Sequence, residues 1–538
     1  MFPLTRSSSR GASTAALIAF TVGAMALGAC SSTAAPSQTA DAQPASSVTA
    51  HNTVAGATSL YDPPTAEQAL AENAIPTVLD AQDWEAQAST SITFSGATAQ
   101  VSTQAGGQAS QGSGAQSSGS TRNGGDAQGA STAASSPVTI TDGLTTITSA
   151  GVYRLSGSYT GQVVVEAPSD ALVVLILDNL SIDTTAGSAI EVRSAANAVL
   201  VLEGNSQVAD ASSYADSSAA NAAIYADTNL LITGSGGLSV KGRSNDAIAA
   251  TDDLVISSGT VQVQAVDDGL RGKDSLTITG GTVSVVAGGD GLKSDEDTDP
   301  AKGFIHISDG DVTVDAQGDA LSAYTDVIVT GGTFALSAGG GAQASVADGE
   351  SAKGVKAGVY AIIEGGTFSI GAAEDGIHSD GSVRLSGGDV SMAVADDGVH
   401  AEIALVADGA SVDIASSVEG LEGEIIALQD GTISVVSSDD AINGSASTGT
   451  VTVEISGGTI TLDSEGDSLD ANGDLTISGG TVVAWGPSND DNGDDPYQWQ
   501  VSVPVVMIRT NGEHQYQRQA LLPMALRCAR GMRVLEPL

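Results

Sequence analysis

The stretch Glu374-Asp-Gly-Ile-His-Ser-Asp380 returns 22 residues later as Asp396-Asp-Gly-Val-His-Ala-Glu402. Each copy sets two carboxylates, an imidazole and a further carboxylate within one short span. Such a set can ligate a cation or move a proton. The pattern extends well beyond these two copies. Acids followed by a small residue and an aliphatic stand at Asp246, Asp268, Asp290, Asp319, Asp375, Asp397, Glu419, Asp440 and Asp467. Three residues after such an acid come Arg271, Lys293, His378 and His400, and five residues after one comes Lys273. These cations and imidazoles are the candidate ligand-binding side chains.

The elements that carry them recur with the acids. Successive steps are 22, 22, 29, 56, 22, 22, 21 and 27 residues, the 56 being about two repeats with a degenerate one near Lys356. Each acid is followed by an aliphatic, a turn, a short strand such as Leu276-Thr-Ile278, then Gly-Gly-Thr and a strand such as Val283-Ser-Val285. Three short alternating strands joined by Gly-rich turns, about 22 residues per coil, predict an all-β fold, a single-stranded parallel β-helix. Alternation places Leu270, Leu276, Ile278, Val283 and Val285 inside, with Thr and Ser outside.

Stacking has an electrostatic consequence. Equivalent residues of neighbouring coils lie about 4.8 Å apart. Two carboxylates at that distance repel by roughly 1 kcal/mol in water and 3–4 at an effective dielectric near 20. A column of acids therefore calls for positive charge. Arg271, Lys273 and Lys293 serve only the first coils, so the expected counter-ion is Ca2+, a hard ion taking six to eight oxygens. A simpler explanation is that Asp-Gly makes a good turn, although the acids of the series include Glu419. The acid-laden run Asp290–Asp299, in a repeat seven residues longer than the norm, reads as a metal-binding lip. His378 and His400 read either as ligands for a transition metal, as an acid and base, or as surface imidazoles paired with Asp380 and Glu402.

The formal charge of −45 excludes nucleic acid and anionic lipid as electrostatic partners. No feature points to a protein partner. Residues 1–29 read as a lipoprotein signal peptide: a basic start, an apolar run, then Leu27-Gly-Ala-Cys30, which is similar to a lipobox. Cys30 would be acylated, so the membrane is met through an N-terminal lipid anchor only, and the expected location is the bacterial cell surface. The other cysteine is Cys528, so no disulfide is expected in the exported domain. Residues 30–90 read as a low-complexity tether with one helix around Glu67–Asp83. Residues 91–137 hold a first strand and a disordered Gly/Ser/Gln insertion, and 138–486 the repeats. Residues 487–538 form an Arg-rich tail of the kind a shifted reading frame produces, with five Arg against two Glu over 497–538.

Tyr153-Arg-Leu-Ser-Gly157, Asp267-Asp-Gly-Leu-Arg-Gly-Lys-Asp-Ser-Leu276, Gly289-Asp-Gly-Leu-Lys-Ser294 and the repeated Ile-Ser-Gly-Gly-Thr resemble a family of secreted bacterial carbohydrate-binding domains. The resemblance covers residues 138–486 and implies a right-handed, pectate-lyase-like β-helix that binds calcium and polygalacturonate-like or cellulosic polysaccharide. On the matching repeats it implies calcium among Asp267, Asp268, Asp290, Asp295, Asp375, Asp396 and Asp397. The expected function is thus a calcium-loaded surface module for acidic polysaccharide, without assigned catalytic residues. The alternatives are a calcium-dependent polysaccharide lyase with Lys293 or Arg271 as base, and a non-catalytic structural adhesin.

Overall fold

Short aliphatic triplets spaced by one repeat pair with one another throughout the protein. In the computed structural model Leu270, Leu292, Leu321, Val355, Ile377, Val399, Leu421 and Ile442 form one parallel column, each in register with the next. A second column runs through Leu276, Ile305 and Val327, and a third through Val283, Val312, Phe334, Phe368, Val390, Val412, Ile433, Ile460 and Val482. Among the described residues the protein is all-β apart from two short helices, and its strands are overwhelmingly parallel. The structure describes residues 61–76, 84–87, 90–103, 136–486 (less 216, 217, 348 and 448) and 508–509. All belong to the unit Ala45–Leu538; the other unit, Met1–Pro44, lies outside the described residues. So do the signal segment, Cys30, most of the insertion and nearly all of the tail.

The inward positions are as alternation predicts: Leu270, Leu276, Ile278, Val283 and Val285 are all buried. Each such side chain contributes about 1.5–3 kcal/mol on burial. Identical residues also stack on themselves, as Phe334 does on Phe368 with ring centroids 4.3 Å apart.

The repeated glycines answer two different demands. The second glycine of Gly-Gly-Thr adopts a left-handed conformation, φ +91° at Gly281 and +96° at Gly366, which other residues rarely adopt. The glycine after each acid has no such φ. A Cβ on Gly398 would lie 2.4 Å from Ile414 Cδ1 and 2.6 Å from the Gly420 carbonyl of the next repeat. Where glycine follows the acid its recurrence thus answers close packing and not a left-handed turn, and Ala247, Ala320, Ala441 and Ser468 take that place in the other repeats.

The 56-residue gap resolves into steps of 34 and 22, because Lys353 occupies the place of an acid between Asp319 and Asp375. At the N-terminal side the expected tether is in part fastened down. The helix, Ala66–Glu72, is shorter than expected and starts at a Thr65–Gln68 capping box. Ala66 and Ala69 pack on Ile328, Val359, Tyr360 and Ile362. The Ala66 amide donates to Glu364 (2.7 Å), Asn73 to Asp326 (3.0 Å), and Arg384 to the Pro63 carbonyl (2.8 Å). Trp84 covers Val174, Val199, Val201, Leu231 and Val255. The physical reason is that the second column is apolar on its outer side as well, and parallel strands with two apolar faces need cover on both. The expected first strand is a hairpin, Thr90–Gly96 with Thr98–Thr103, whose first strand pairs in parallel with Gly151–Tyr159.

Candidate cation and ligand-binding face

The acids do form one column. The amide after each acid donates to the carbonyl of the acid one repeat on: Gly269 to Asp290, Gly291 to Asp319, Gly376 to Asp397, Gly398 to Glu419, at 2.8–2.9 Å. Each aspartate also bridges with its side chain. Oδ1 accepts the backbone N–H of the equivalent residue in the next repeat, from Asp268 to Asp246 (3.3 Å), Asp290 to Asp268 (2.8 Å), Asp319 to Asp290 (2.9 Å), Lys353 to Asp319 (2.8 Å), Asp397 to Asp375 (3.2 Å) and Asp467 to Asp440 (2.7 Å). An aspartate side chain has the reach of one repeat spacing, which explains its dominance in the series.

The second carboxylate oxygen faces a side chain three residues on or one from a neighbouring repeat. Lys293 Nζ sits 3.0 Å from both Asp268 and Asp290. Lys356 lies 3.5 Å from Asp319, and Lys353 2.8 Å from Asp375. His378 Nδ1 is 2.8 Å from Asp375, and His400 Nδ1 3.2 Å from Asp397. Glu419 accepts from Asn443 at 2.7 Å. The expectation that the chain's own cations serve only the first coils is thereby corrected. The degenerate repeat near Lys356 has Lys353 in the acid's place, and its signal is Lys353-Gly-Val355, which keeps the Gly-aliphatic pair after the missing acid.

Two acids of the acid-laden lip are held by cations of the preceding repeat. Arg271 holds Asp295 in a fork of three hydrogen bonds at 2.7–3.1 Å, and Lys273 pairs with Glu296 at 2.7 Å. Asp295 thus faces Arg271 and is not gathered with Asp290. The histidines do pair with Asp380 and Glu402 as expected, but only His400 is part-exposed at the surface. His378 is buried, with Nε2 3.1 Å from Asp380, and His400 has Glu402 at 3.8 Å and Glu422 at 3.6 Å. Their rings stand 4.9 Å apart.

Protonation follows these contacts. Burial would lower both imidazoles, but the bond to Asp397 and the charges of Glu422, Asp375 and Asp397 raise His400 to about 9, and the bonds to Asp375 and Asp380 raise His378. Burial would raise Asp375, yet His378 and Lys353 hold it well below the usual carboxylate range. Beyond His400 the column has carboxylates without a Lys or Arg among them. Burial and the neighbouring acids Glu419 and Asp397 push Glu422 up to about 8 despite His400, and burial with Asp470, Asp439 and Asp467 pushes Asp440 to about 7. At the other end burial, then Asp268 and Asp267, raise Asp246 to about 7.

Two carboxylate triads result, Asp246–Asp267–Asp268 and Asp375–Asp396–Asp397, each with an oxygen from every member within 4.8 Å of the others. In each, two buried column acids meet one exposed acid, Asp267 or Asp396. Asp246 completes the first set although the family resemblance did not name it. The face continues towards the N-terminus, where Glu191, Tyr225, Ala249, Arg271 and Lys293 stand in register. There a cleft of about 880 Å³ is lined by Gln162, Glu191, Arg193, Tyr214, Tyr225 and Asp227 among others. Its tyrosines carried no repeat signal and were not legible in the pattern.

The chain is similar to known proteins. A family model described as "Carbohydrate-binding domain-containing protein" matches residues 141–398 and 395–495. A carbohydrate-binding domain-containing protein of Acetivibrio thermocellus is 31% identical over 126 residues, 22% of this chain and 44% of that relative, so the chain spans less than half of the relative's length. A solved structure of a polysaccharide lyase-like protein from C. thermocellum, a gadolinium derivative, aligns with 25% identity and a TM-score of 0.40 over 47% of this chain and 92% of that one. With the family matched across most of the repeats, the chain belongs to the carbohydrate-binding domain-containing protein family.

Proposed function

We propose that the protein is an exported, lipid-anchored module that binds acidic polysaccharide of the polygalacturonate type through calcium ions held on the acid face of a right-handed, single-stranded parallel β-helix. The parallel register of three strand columns, stepping by 22 residues in most repeats, supports a single-stranded parallel helix, and the family resemblance supports its right hand. The Leu27–Cys30 sequence supports the anchor.

The observation that carries the reading is the pair of carboxylate triads. Each presents clustered oxygens of the hard type that Ca2+ prefers, with one member exposed. An acidic protein and a uronate polymer repel each other, and an ion sharing carboxylates from both turns that repulsion into attraction. The cleft beside the column supplies two tyrosines and Arg193 for a sugar ring and its polar edge. Lyase chemistry at Lys293 or Arg271 has no such support. A base must release its proton, whereas Asp290 and Asp268 raise the Lys293 ammonium above its ordinary value against the effect of burial, and Asp295 clamps Arg271.

Retention on immobilised polygalacturonate tests the reading. The chain should bind in millimolar calcium, elute in excess chelator, and lose at least about tenfold in affinity when Asp267→Asn and Asp396→Asn are combined. Undiminished binding in chelator would sink the calcium bridge, and a glycan array without any ligand would favour a structural adhesin instead.

A further inference from the structure

We propose that Asp397, His400 and Glu422 form a binding site for a divalent transition ion of the zinc class, a chemistry separate from the all-carboxylate triads. His400 Nδ1 lies 3.2 Å from Asp397 Oδ2 and 3.6 Å from Glu422 Oε2. A tetrahedral ion bonded at about 2.0–2.1 Å places its ligands about 3.3–3.4 Å apart. The two observed separations bracket that edge, and all three residues offer atoms within 4.8 Å of one another. Few side-chain movements are needed to seat an ion.

The donor set selects the ion. Calcium requires six to eight oxygens and gains little from an imidazole, whereas one nitrogen and two carboxylate oxygens suit zinc, cobalt or manganese. The site is also held in place. His400 stands in register between His378 and Glu422, so the backbone fixes the vertical spacing of its ligands. Its side chain is 22% exposed and that of Glu422 20%, enough for an ion to enter and for a fourth ligand from solvent or sugar. The ring of His378, 4.9 Å from that of His400, belongs to an adjoining set with Asp375, which can take the ion if Glu422 is removed. Asp397 is common to this site and to the Asp375–Asp396–Asp397 triad, so zinc and calcium compete there and not at Asp246–Asp267–Asp268.

Titration of the full chain with ZnCl2 at pH 7.5, without added calcium, should show a site with a dissociation constant in the micromolar range or tighter, weakened when calcium is added. CoCl2 should give visible bands of four-coordinate cobalt. His400→Gln should weaken zinc at least tenfold and abolish those bands, while leaving calcium binding at the Asp246 set unchanged. Zinc binding that persists at full strength in a folded His400→Gln chain overturns the assignment. So does the absence of zinc binding in the natural chain. Should His400→Gln fail to fold, anomalous diffraction from zinc-soaked crystals of the natural chain decides: a peak within bonding distance of His400 Nδ1 supports the site, and a peak elsewhere or none overturns it.

Discussion

The two halves of the acid column share one backbone and differ in what balances it. From Asp268 to Asp319 the neutralising groups are Lys293, Arg271 and Lys356, cations at every physiological pH, and the loop that follows Asp290 is latched onto Arg271 and Lys273. From Asp375 onwards the balance passes to His378 and His400, with Lys353 at the junction, and from Glu419 on it falls to Asn443 and to protons. A parallel repeat thus supplies a scaffold on which counter-charge is chosen rung by rung. One half is permanently compensated; the other responds to pH and to added ions.

Removing a permanent cation should show the difference most clearly. Lys293→Met leaves Asp268 and Asp290 facing each other without their shared ammonium, and should cost about 3 kcal/mol of stability in denaturant unfolding. The contrast would collapse if His400→Gln at pH 9 proved equally costly. Next in size, Gly398→Ala should destabilise by about 1–3 kcal/mol, because the added methyl meets Ile414 and a carbonyl. Gly291→Ala, with Val314 Cγ1 at 2.2 Å, should cost a similar amount, since packing does not distinguish the halves.

The pH response should separate them again. His400 is raised to about 9 from 6.5, so its charged form is favoured in the folded state. The groups facing it are Asp397, Glu402, Glu422 and Asp375, and those facing His378 are Asp375, Asp380 and Lys353. The stabilisation from His400 is complete below pH 6.5, fades as pH rises, and is gone above about 9; that from His378, also raised, is lost in the same direction. Thermal melts in chelator should lose on the order of 1–3 kcal/mol over that window, and His378→Gln with His400→Gln should flatten the profile. Hydrogen exchange should place the loss in the Asp375–Glu419 repeats and spare those around Lys293. The smallest effect is expected from Glu402→Gln, whose carboxylate is 59% exposed and 3.8 Å from His400: under about 0.5 kcal/mol.

Much of this is legible in the sequence, for reasons that differ by residue. Leu276 and Val283 were assigned inward from alternation, which depends only on the neighbouring residues. The column of Asp268, Asp290, Asp375 and Asp397 followed from a constant period, because equal steps along parallel strands superpose equivalent residues. Lys353 was missed since a lysine in an acid's place breaks the residue type while keeping the register. Asp295 was grouped with Asp290 because the two are close in the chain, whereas the long loop turns it towards Arg271.

Period and alternation, then, specify the repeat and its inner face before any contact is known, since both are properties of consecutive residues. The reach of Lys293 to Asp268 and of Lys353 to Asp375, the docking of Ala66–Glu72 on Ile328 and Ile362, and the meeting of His400 with Glu422 arise only when residues 22 to nearly 300 positions apart are brought together. Those pairings depend on loop lengths and on outer surfaces that need cover, and neither is written in the spacing of the acids.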